Sequence, residues 1–458
     1  MMQRRQPQEE EEEEEEEMEL LLTDNQQLQL LGQGTYGCAF YPQIDCKTHH
    51  ITKSSRHFLS KIQFQDKSLI REIQVGKRIV QRVPNYRYLF APILETCPVK
   101  LSEMRQNKIK QCNVLTKATL NNTPIVSSKV PYVGQLTLDK YFNSLYDREQ
   151  CRAPPPPPPP TTNKTKKCIH MAIPYLKKLI NTFLYLLPSF QKLNADVGVV
   201  HLDVYAKNIM YDAKNHLPII IDFGMSYCMD WLQLPAYLSF KYPFGIESFS
   251  YAPWCFEVSI LTHLARHLRP ANNDQLNKHG GYVDETLLKT PIDPELIRIY
   301  RDICVDFVTA NLRSHNNVIF TDADRQTLII NLQTWIVNLA AKTKTHEALW
   351  TALLASYRTW DIYALAIMYL HEIEDSKLLL ASTMTAAPVV RAFIDQLKRV
   401  ILSVPDQRPP VGQIFKEAKT LFAKMTLTNY QQVQAVKLAP AQHQRAERNL
   451  QVLAKLVV

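Results

Sequence analysis

Seven consecutive prolines, Pro154 to Pro160, divide this 458-residue chain into two parts of different character. Each proline locks φ and lacks an N–H, so neither a helix nor a sheet interior accepts the run. With the Thr, Asn and Lys residues after it, the run reads as a stiff polyproline II spacer in a surface loop over residues 152–167. Before it, residues 28–64 alternate short apolar runs with Gly, Pro and polar breaks, a pattern that suits strands. Leu69, Ile70, Ile73, Ile79 and Val80 give residues 68–82 a helical period, and strands are expected again around 87–95 and 112–130. After the prolines, residues 170–195 and most of 256–425 show helical periodicity, broken at Pro and at Asn-rich points. The expected fold class is α+β and bilobal, with a small β-rich N-terminal lobe and a large helical C-terminal lobe.

Residues 9 to 17 are nine consecutive glutamates, which repel one another and bury no apolar area, so residues 1–22 read as a disordered acidic tail. The formal charge is nevertheless +9, and the body of the chain is more basic still. Its Lys and Arg are scattered, with no dense cluster interleaved with aromatics, so a solvated basic surface is expected and no clear nucleic-acid site. The nine cysteines include no C-x-x-C pair to suggest zinc or a redox dithiol, and free thiols in a reducing compartment are the default expectation. No stretch reaches about 18 uninterrupted apolar residues, so no membrane span is expected. An intracellular, cytoplasmic protein follows. Glycine is scarce, at 11 of 458 residues, so each one constrains the chain more than usual.

Asp203 and Asn208 stand five residues apart within Val199-Val200-His201-Leu202-Asp203-Val204-Tyr205-Ala206-Lys207-Asn208-Ile209-Met210. Fourteen residues later Asp222 closes an apolar run and opens Asp222-Phe223-Gly224. Phosphoryl transfer needs an acceptor for the proton of the attacking hydroxyl and oxygen ligands for Mg²⁺ near the phosphate. Asp203 meets the first need, Asn208 and Asp222 the second. Chance alone would produce H-x-D-x-x-x-x-N followed by D-F-G at this interval in about one chain in several thousand.

These two motifs resemble the catalytic loop and metal-binding turn of the protein kinases. The resemblance extends from residue 28 to about 425 and implies a kinase N-lobe over 23–133, a C-lobe over 134–428 and a separate helical tail over 429–458. Leu31-Gly32-Gln33-Gly34-Thr35-Tyr36-Gly37-Cys38-Ala39 is similar to the glycine-rich loop, whose Gly32, Gly34 and Gly37 would let backbone amides approach phosphates. Phe58-Leu59-Ser60-Lys61-Ile62 resembles the strand that supplies a phosphate-binding Lys; Lys61 is the candidate and Lys53 the alternative. Glu72, the one carboxylate in residues 67–94, would orient that ammonium, or else lie on the surface, since the interval from Lys61 is short for the family. Val130-Pro131-Tyr132-Val133-Gly134 resembles the hinge, implying adenine contacts from the Pro131 carbonyl and the Val133 N–H, in a register open to a slip of one or two. Asp361 resembles the helix aspartate that accepts from the catalytic-loop backbone. Arg408 resembles the late arginine that pairs with the Glu ending the activation segment, here Glu257.

The chain departs from the family in three places. Between Glu257 and Asp361 lie 103 residues, where stripes such as Leu296, Ile299, Ile303 and Phe307, then Leu328, Leu332, Ile336 and Leu339, mark a helical insertion over about 258–356. Long insertions and Pro-Tyr hinges of this kind occur in kinase-like proteins of large eukaryotic DNA viruses, which the chain resembles more than cellular kinases; a host cell or virion would then be its setting. The catalytic loop reads His-Leu-Asp, without the Arg that docks an activation-loop phosphate. Tyr205 stands where a γ-phosphate-contacting Lys is usual, and Lys207 is the substitute cation.

The resemblance implies a serine/threonine protein kinase that uses ATP and Mg²⁺ or Mn²⁺ on protein substrates. Ser250, seven before Glu257, favours Ser/Thr over Tyr acceptors. An ATP-binding pseudokinase or scaffold, and a small-molecule kinase of the same fold, are the alternatives. The proline run could also dock an SH3 or WW domain.

Overall fold

The structure, a computed structural model, describes residues 29–34, 37–44, 56–99, 112–114, 124–145, 163–232, 251–268, 285–312, 319–376 and 387–433. The acidic tail, the proline run, Lys53, Ser250 and residues 434–458 of the expected tail lie outside them. The chain divides into two compact units, one of residues 1–73 and 93–132, the other of 74–92 and 133–458. The units change over between Tyr132 and Val133, and residues 74–92 cluster with the second unit.

In the first unit, strands β1 (Gln29–Gln33), β2 (Gly37–Tyr41), β3 (Phe58–Phe64), β4 (Glu95–Pro98) and β5 (Ile125–Pro131) form one antiparallel sheet ordered β1-β2-β3-β5-β4. One face carries Cys38, Phe40, Ile62 and Ile125, which are buried against Cys112 and Val114. Because strand side chains alternate, the opposite face of β3 carries Lys61 and Gln63. Helix α1 (Lys67–Arg82) starts where the Asp66 carboxylate accepts from the Leu69 N–H at 3.0 Å. Its Leu69 and Ile73 pack on Ile93, Val126 and Val130.

The expected strand at 87–95 is instead a short 3₁₀ turn, Tyr86–Tyr88, followed by an isolated bridge from Phe90 to Ile220 and only then by β4. Pro92, with no N–H to donate, cannot continue a ladder there. Among the described residues of 112–130, where strands were expected, the strand is β5. Cys38 and Cys112 form a disulfide across 74 positions, and Cys97 is disulfide-bonded too. This overturns the expectation of free thiols for those three residues and removes the support that cysteine usage lent to a reducing compartment. Cys228, Cys255 and Cys304 of the second unit are buried free thiols.

The second unit is mainly helical: α2 (Leu138–Leu145), α3 (Asn163–Lys192), α4 (Met229–Leu232), α5 (Phe256–His267), α6 (Glu285–Leu288), α7 (Pro294–Asn311), α8 (Asp322–Thr343), α9 (His346–Leu354), α10 (Trp360–Asp375), α11 (Ala387–Leu402) and α12 (Val411–Val433). Between α3 and α4 lie the hairpin β7 (Ile209–Asp212) and β8 (Leu217–Ile220) and the short pair β6 (Val199–Val200) and β9 (Tyr227–Cys228). Helix α3 begins earlier than the expected loop end and runs through Pro188. Its packing of Phe183 on Tyr369 and Phe393, at ring-centroid distances of 5.1 and 5.3 Å, outweighs the ladder bond that proline forgoes. The predicted stripes are the buried faces of α7 and α8, through Leu296, Ile303, Phe307, Leu328, Leu332 and Ile336. Asp293 caps α7 and a Thr321–Asp324 capping box starts α8. No helix among the described residues is long and apolar enough to cross a membrane.

Reducing the Cys38–Cys112 bond, or replacing both cysteines by alanine, is expected to destabilise the first unit by about 2–4 kcal/mol, because the bond closes a long loop. Thermal unfolding with and without dithiothreitol measures this. An unchanged midpoint, with both thiols alkylated in untreated protein, would count against the bond.

Candidate active site

In the first unit, the outward face of β3 meets α1. The Lys61 ammonium contacts both Glu72 carboxylate oxygens, at 2.7 and 3.0 Å, and the Gln63 amide donates to the same carboxylate at 3.3 Å. Glu72 is thereby buried and paired. At the β1–β2 turn the Gly34 N–H donates to the Gly37 carbonyl at 2.8 Å. A Cβ at Gly37 would sit 3.0 Å from the Ile62 carbonyl, so the sheet itself demands glycine there. A Cβ at Gly32 or Gly34 would meet nothing within 4 Å. Pro131 ends β5, and Tyr132 stacks on Tyr41 and donates its N–H to the His57 carbonyl at 2.9 Å. Val133 begins the stretch of the second unit that continues to the C-terminus.

In the second unit the β7–β8 hairpin explains the interval between the two motifs. Ile209 pairs with Ile220, so Asn208 and Ile221 flank the open end, where the Ile221 N–H donates to the Asn208 carbonyl at 3.0 Å. Asp222 follows at φ 59°, an αL conformation that a non-glycine residue adopts at a cost. Leu202 is held similarly, at φ 61°. Asn208 Nδ2 donates to Asp203 Oδ2 at 2.8 Å and to the Asp203 carbonyl at 3.0 Å. The Asp203 N–H donates to His201 Nδ1 at 3.3 Å, which makes Nδ1 an acceptor and leaves Nε2–H to donate to the Ile221 carbonyl, 3.0 Å away. The imidazole thus ties the loop to the residue before Asp222.

Beneath the loop, Asp361 on α10 is 1% exposed. Its carboxylate accepts from the backbone N–H groups of His201 and Leu202, at 2.8 and 3.1 Å, and from Asn194 Nδ2 at 2.7 Å. Arg408 and Glu257 form a buried bidentate pair, with both contacts at 2.6 Å, and Ser356 Oγ donates to the same carboxylate. Burial alone would lower the Arg408 pKa, but the Glu257 charge outweighs it and the guanidinium is held protonated.

A cavity of about 660 Å³ opens beside Asp203, lined by Tyr205, Lys207, Asn208, Pro253 and residues of α2 and α10. Lys207 is exposed there and forms no ion pair among the described residues. Tyr205 is 39% exposed, and burial of part of its ring, together with the Asp203 charge, raises its phenol pKa. The Tyr251 hydroxyl donates to Asp203 Oδ1.

The structure brings Lys61 with Glu72, and Asp203 with Asn208, and places Asp222 at the end of the hairpin they share. Tyr251, which donates to Asp203, and Asn194, which donates to Asp361, carry no motif in the sequence beyond the adjacency of Tyr251 to Ala252-Pro253. Comparison with models of known protein families and with curated proteins returns no match.

Arg408→Ala would leave the Glu257 charge buried without its partner, an expected loss of about 3–5 kcal/mol in unfolding free energy. Glu257→Leu with Arg408→Leu should cost clearly less than the sum of the two single changes. Denaturant titration of the four proteins tests this, and additive losses would contradict a coupled pair.

Proposed function

We propose that the chain is a phosphotransferase of the protein-kinase fold that moves the γ-phosphoryl group of ATP to Ser or Thr hydroxyls of protein substrates. The observation that carries this reading is the joint placement of Asp203 and Asn208 on one loop and Asp222 at the far end of the hairpin it opens. The Lys61–Glu72 pair supports it independently, because the interval that left Glu72 open to a surface role does close in space.

The residues fit a divalent cation. The Asn208 NH₂ is committed to Asp203, which leaves its amide oxygen as the group for a ligand, and Asp222 is exposed one residue after Ile221, whose N–H donates to the Asn208 carbonyl. Two oxygen donors of this kind suit Mg²⁺ or Mn²⁺, which when bound would neutralise charge on phosphate oxygens. Gly32 and Gly34 meet nothing that would require glycine, so close approach of a ligand's phosphates is the physical reason left for them. Lys61, oriented by Glu72, would hold phosphate charge. Asp203 would accept the proton of the attacking hydroxyl, and Lys207 would stabilise charge as transfer proceeds. Within the second unit, Arg78 ion-pairs with Asp230 and its guanidinium lies 5.7 Å from the Trp231 ring.

ATP should raise the melting temperature only when Mg²⁺ or Mn²⁺ is present, and an equal shift in EDTA would sink the metal assignment. Lys61→Met should cut phosphorylation by orders of magnitude with the fold intact, and Glu72→Gln should act in the same direction less severely. Lys207→Ala should reduce kcat by about 10²–10³ while leaving ATP binding nearly unchanged. Steady-state kinetics with labelled ATP, beside Asp222→Asn as the inactive control, would decide; near-normal turnover in Lys207→Ala removes that residue from the mechanism.

A further inference from the structure

Asp203 has two carboxylate oxygens, and both are taken. Oδ2 accepts from Asn208 at 2.8 Å, and Oδ1 accepts from the phenol hydroxyl of Tyr251. We propose that Tyr251 is an intramolecular plug: its hydroxyl occupies the position on Asp203 that an acceptor hydroxyl must take, and it has to turn away before a protein substrate can react. The proposal rests on the phosphotransferase reading of Asp203.

Three observations favour a plug over a brace that merely orients the carboxylate. The first is that Asp203 is already held without Tyr251. Its N–H donates to His201, its carbonyl accepts from Asn208 at 3.0 Å, and Oδ2 takes a second bond from the same amide. The second is chemical, since a hydroxyl donating to the general base is the arrangement that a hydroxyl substrate makes before transfer.

The third is the seat of the ring. Tyr251 packs edge-on against Tyr205, at 5.7 Å between centroids, and against Trp254, at 5.2 Å, while its hydroxyl also reaches Met225 Sδ at 3.8 Å. Trp254 is anchored, donating Nε1–H to the Leu202 carbonyl at 3.0 Å and its own N–H to the Tyr251 carbonyl at 2.9 Å. Tyr205 is half-exposed, so one wall of the seat borders solvent. The same wall accounts for an otherwise unexplained residue. Tyr205 stands where a Lys was expected, and an aromatic edge there receives the Tyr251 ring as a Lys would not. Between Tyr251 and Trp254, Ala252 and Pro253 line the cavity beside Asp203, so the segment that carries the plug borders the space next to that carboxylate.

A closed plug inflates the apparent KM for the acceptor by the inverse of the open fraction. One hydrogen bond to a charged group corresponds to roughly a 10- to 100-fold bias toward the closed state. Tyr251→Phe keeps the ring and removes the hydroxyl. With dephosphorylated casein as acceptor and labelled ATP with Mg²⁺, this variant is expected to show a KM for casein lower by about tenfold or more, with kcat preserved. The thermal shift produced by ATP with Mg²⁺ should not change. Fluorescence anisotropy of labelled casein without nucleotide should show tighter binding by a similar factor, and Tyr205→Ala, which removes the seat, should act in the same direction. If wild type phosphorylates casein and Tyr251→Phe lowers kcat with KM and anisotropy unchanged, Tyr251 is a brace and the plug is overturned. If neither protein transfers phosphate although casein binds more tightly to Tyr251→Phe, the phosphotransferase reading fails and the occupied Asp203 is instead a closed binding site.

Discussion

A carboxylate buried to 1% exposure inside a helical unit is tolerated only where its charge is met by donors, and Asp361 meets three. Two of them are backbone N–H groups of His201 and Leu202, so the loop that carries Asp203 is pinned to α10 through its main chain instead of through side chains. The third, Asn194, belongs to the π-helical turn after α3 and also donates to the Val199 carbonyl at 2.8 Å. One charge therefore holds the entry to the loop and the helix before it. Leu202 at φ 61° is sustained because these bonds outweigh its backbone cost.

From that anchor the arrangement propagates by short steps. His201 bridges the Asp203 N–H and the Ile221 carbonyl, and the β7–β8 hairpin returns the chain so that Asp222 follows directly. The Glu257–Arg408 pair plays a similar part farther along, joining the start of α5 to the turn before α12 and so fixing the segment that ends with Trp254, whose indole reaches back to Leu202. Buried charge pairs are poor sources of net stability but strong specifiers of register. Here the two buried carboxylates, Asp361 and Glu257, tie the loop bearing Asp203 to α10 and the start of α5 to Arg408.

Much of this was legible from residue pattern. The apolar stripes of α7 and α8, the glycine-bearing hairpin, the Lys61–Glu72 pair, the buried Glu257–Arg408 pair and the role of Asp361 all follow from periodicity, spacing and the resemblance those motifs carry. Periodicity failed at residues 87–95, where Tyr86–Tyr88 and Phe90 look strand-forming yet turn to meet Ile220 across the chain. At 170–195 the helical period held, and the helix runs through Pro174 and Pro188 although each forgoes a ladder bond.

By itself, then, the sequence determined most of the helices and strands, because hydrophobic period is local to a residue and its near neighbours, and the chemistry proposed for Lys61, Asp203, Asn208 and Asp222 rests on residue type and motif alone. Only the tertiary structure decided that Cys38 and Cys112 are bonded, that residues 74–92 cluster with the second unit, and that the Tyr251 hydroxyl reaches Asp203. Each of these pairings joins positions tens of residues apart. Such choices are made by the way packed elements aim their side chains, which no spacing along the chain records.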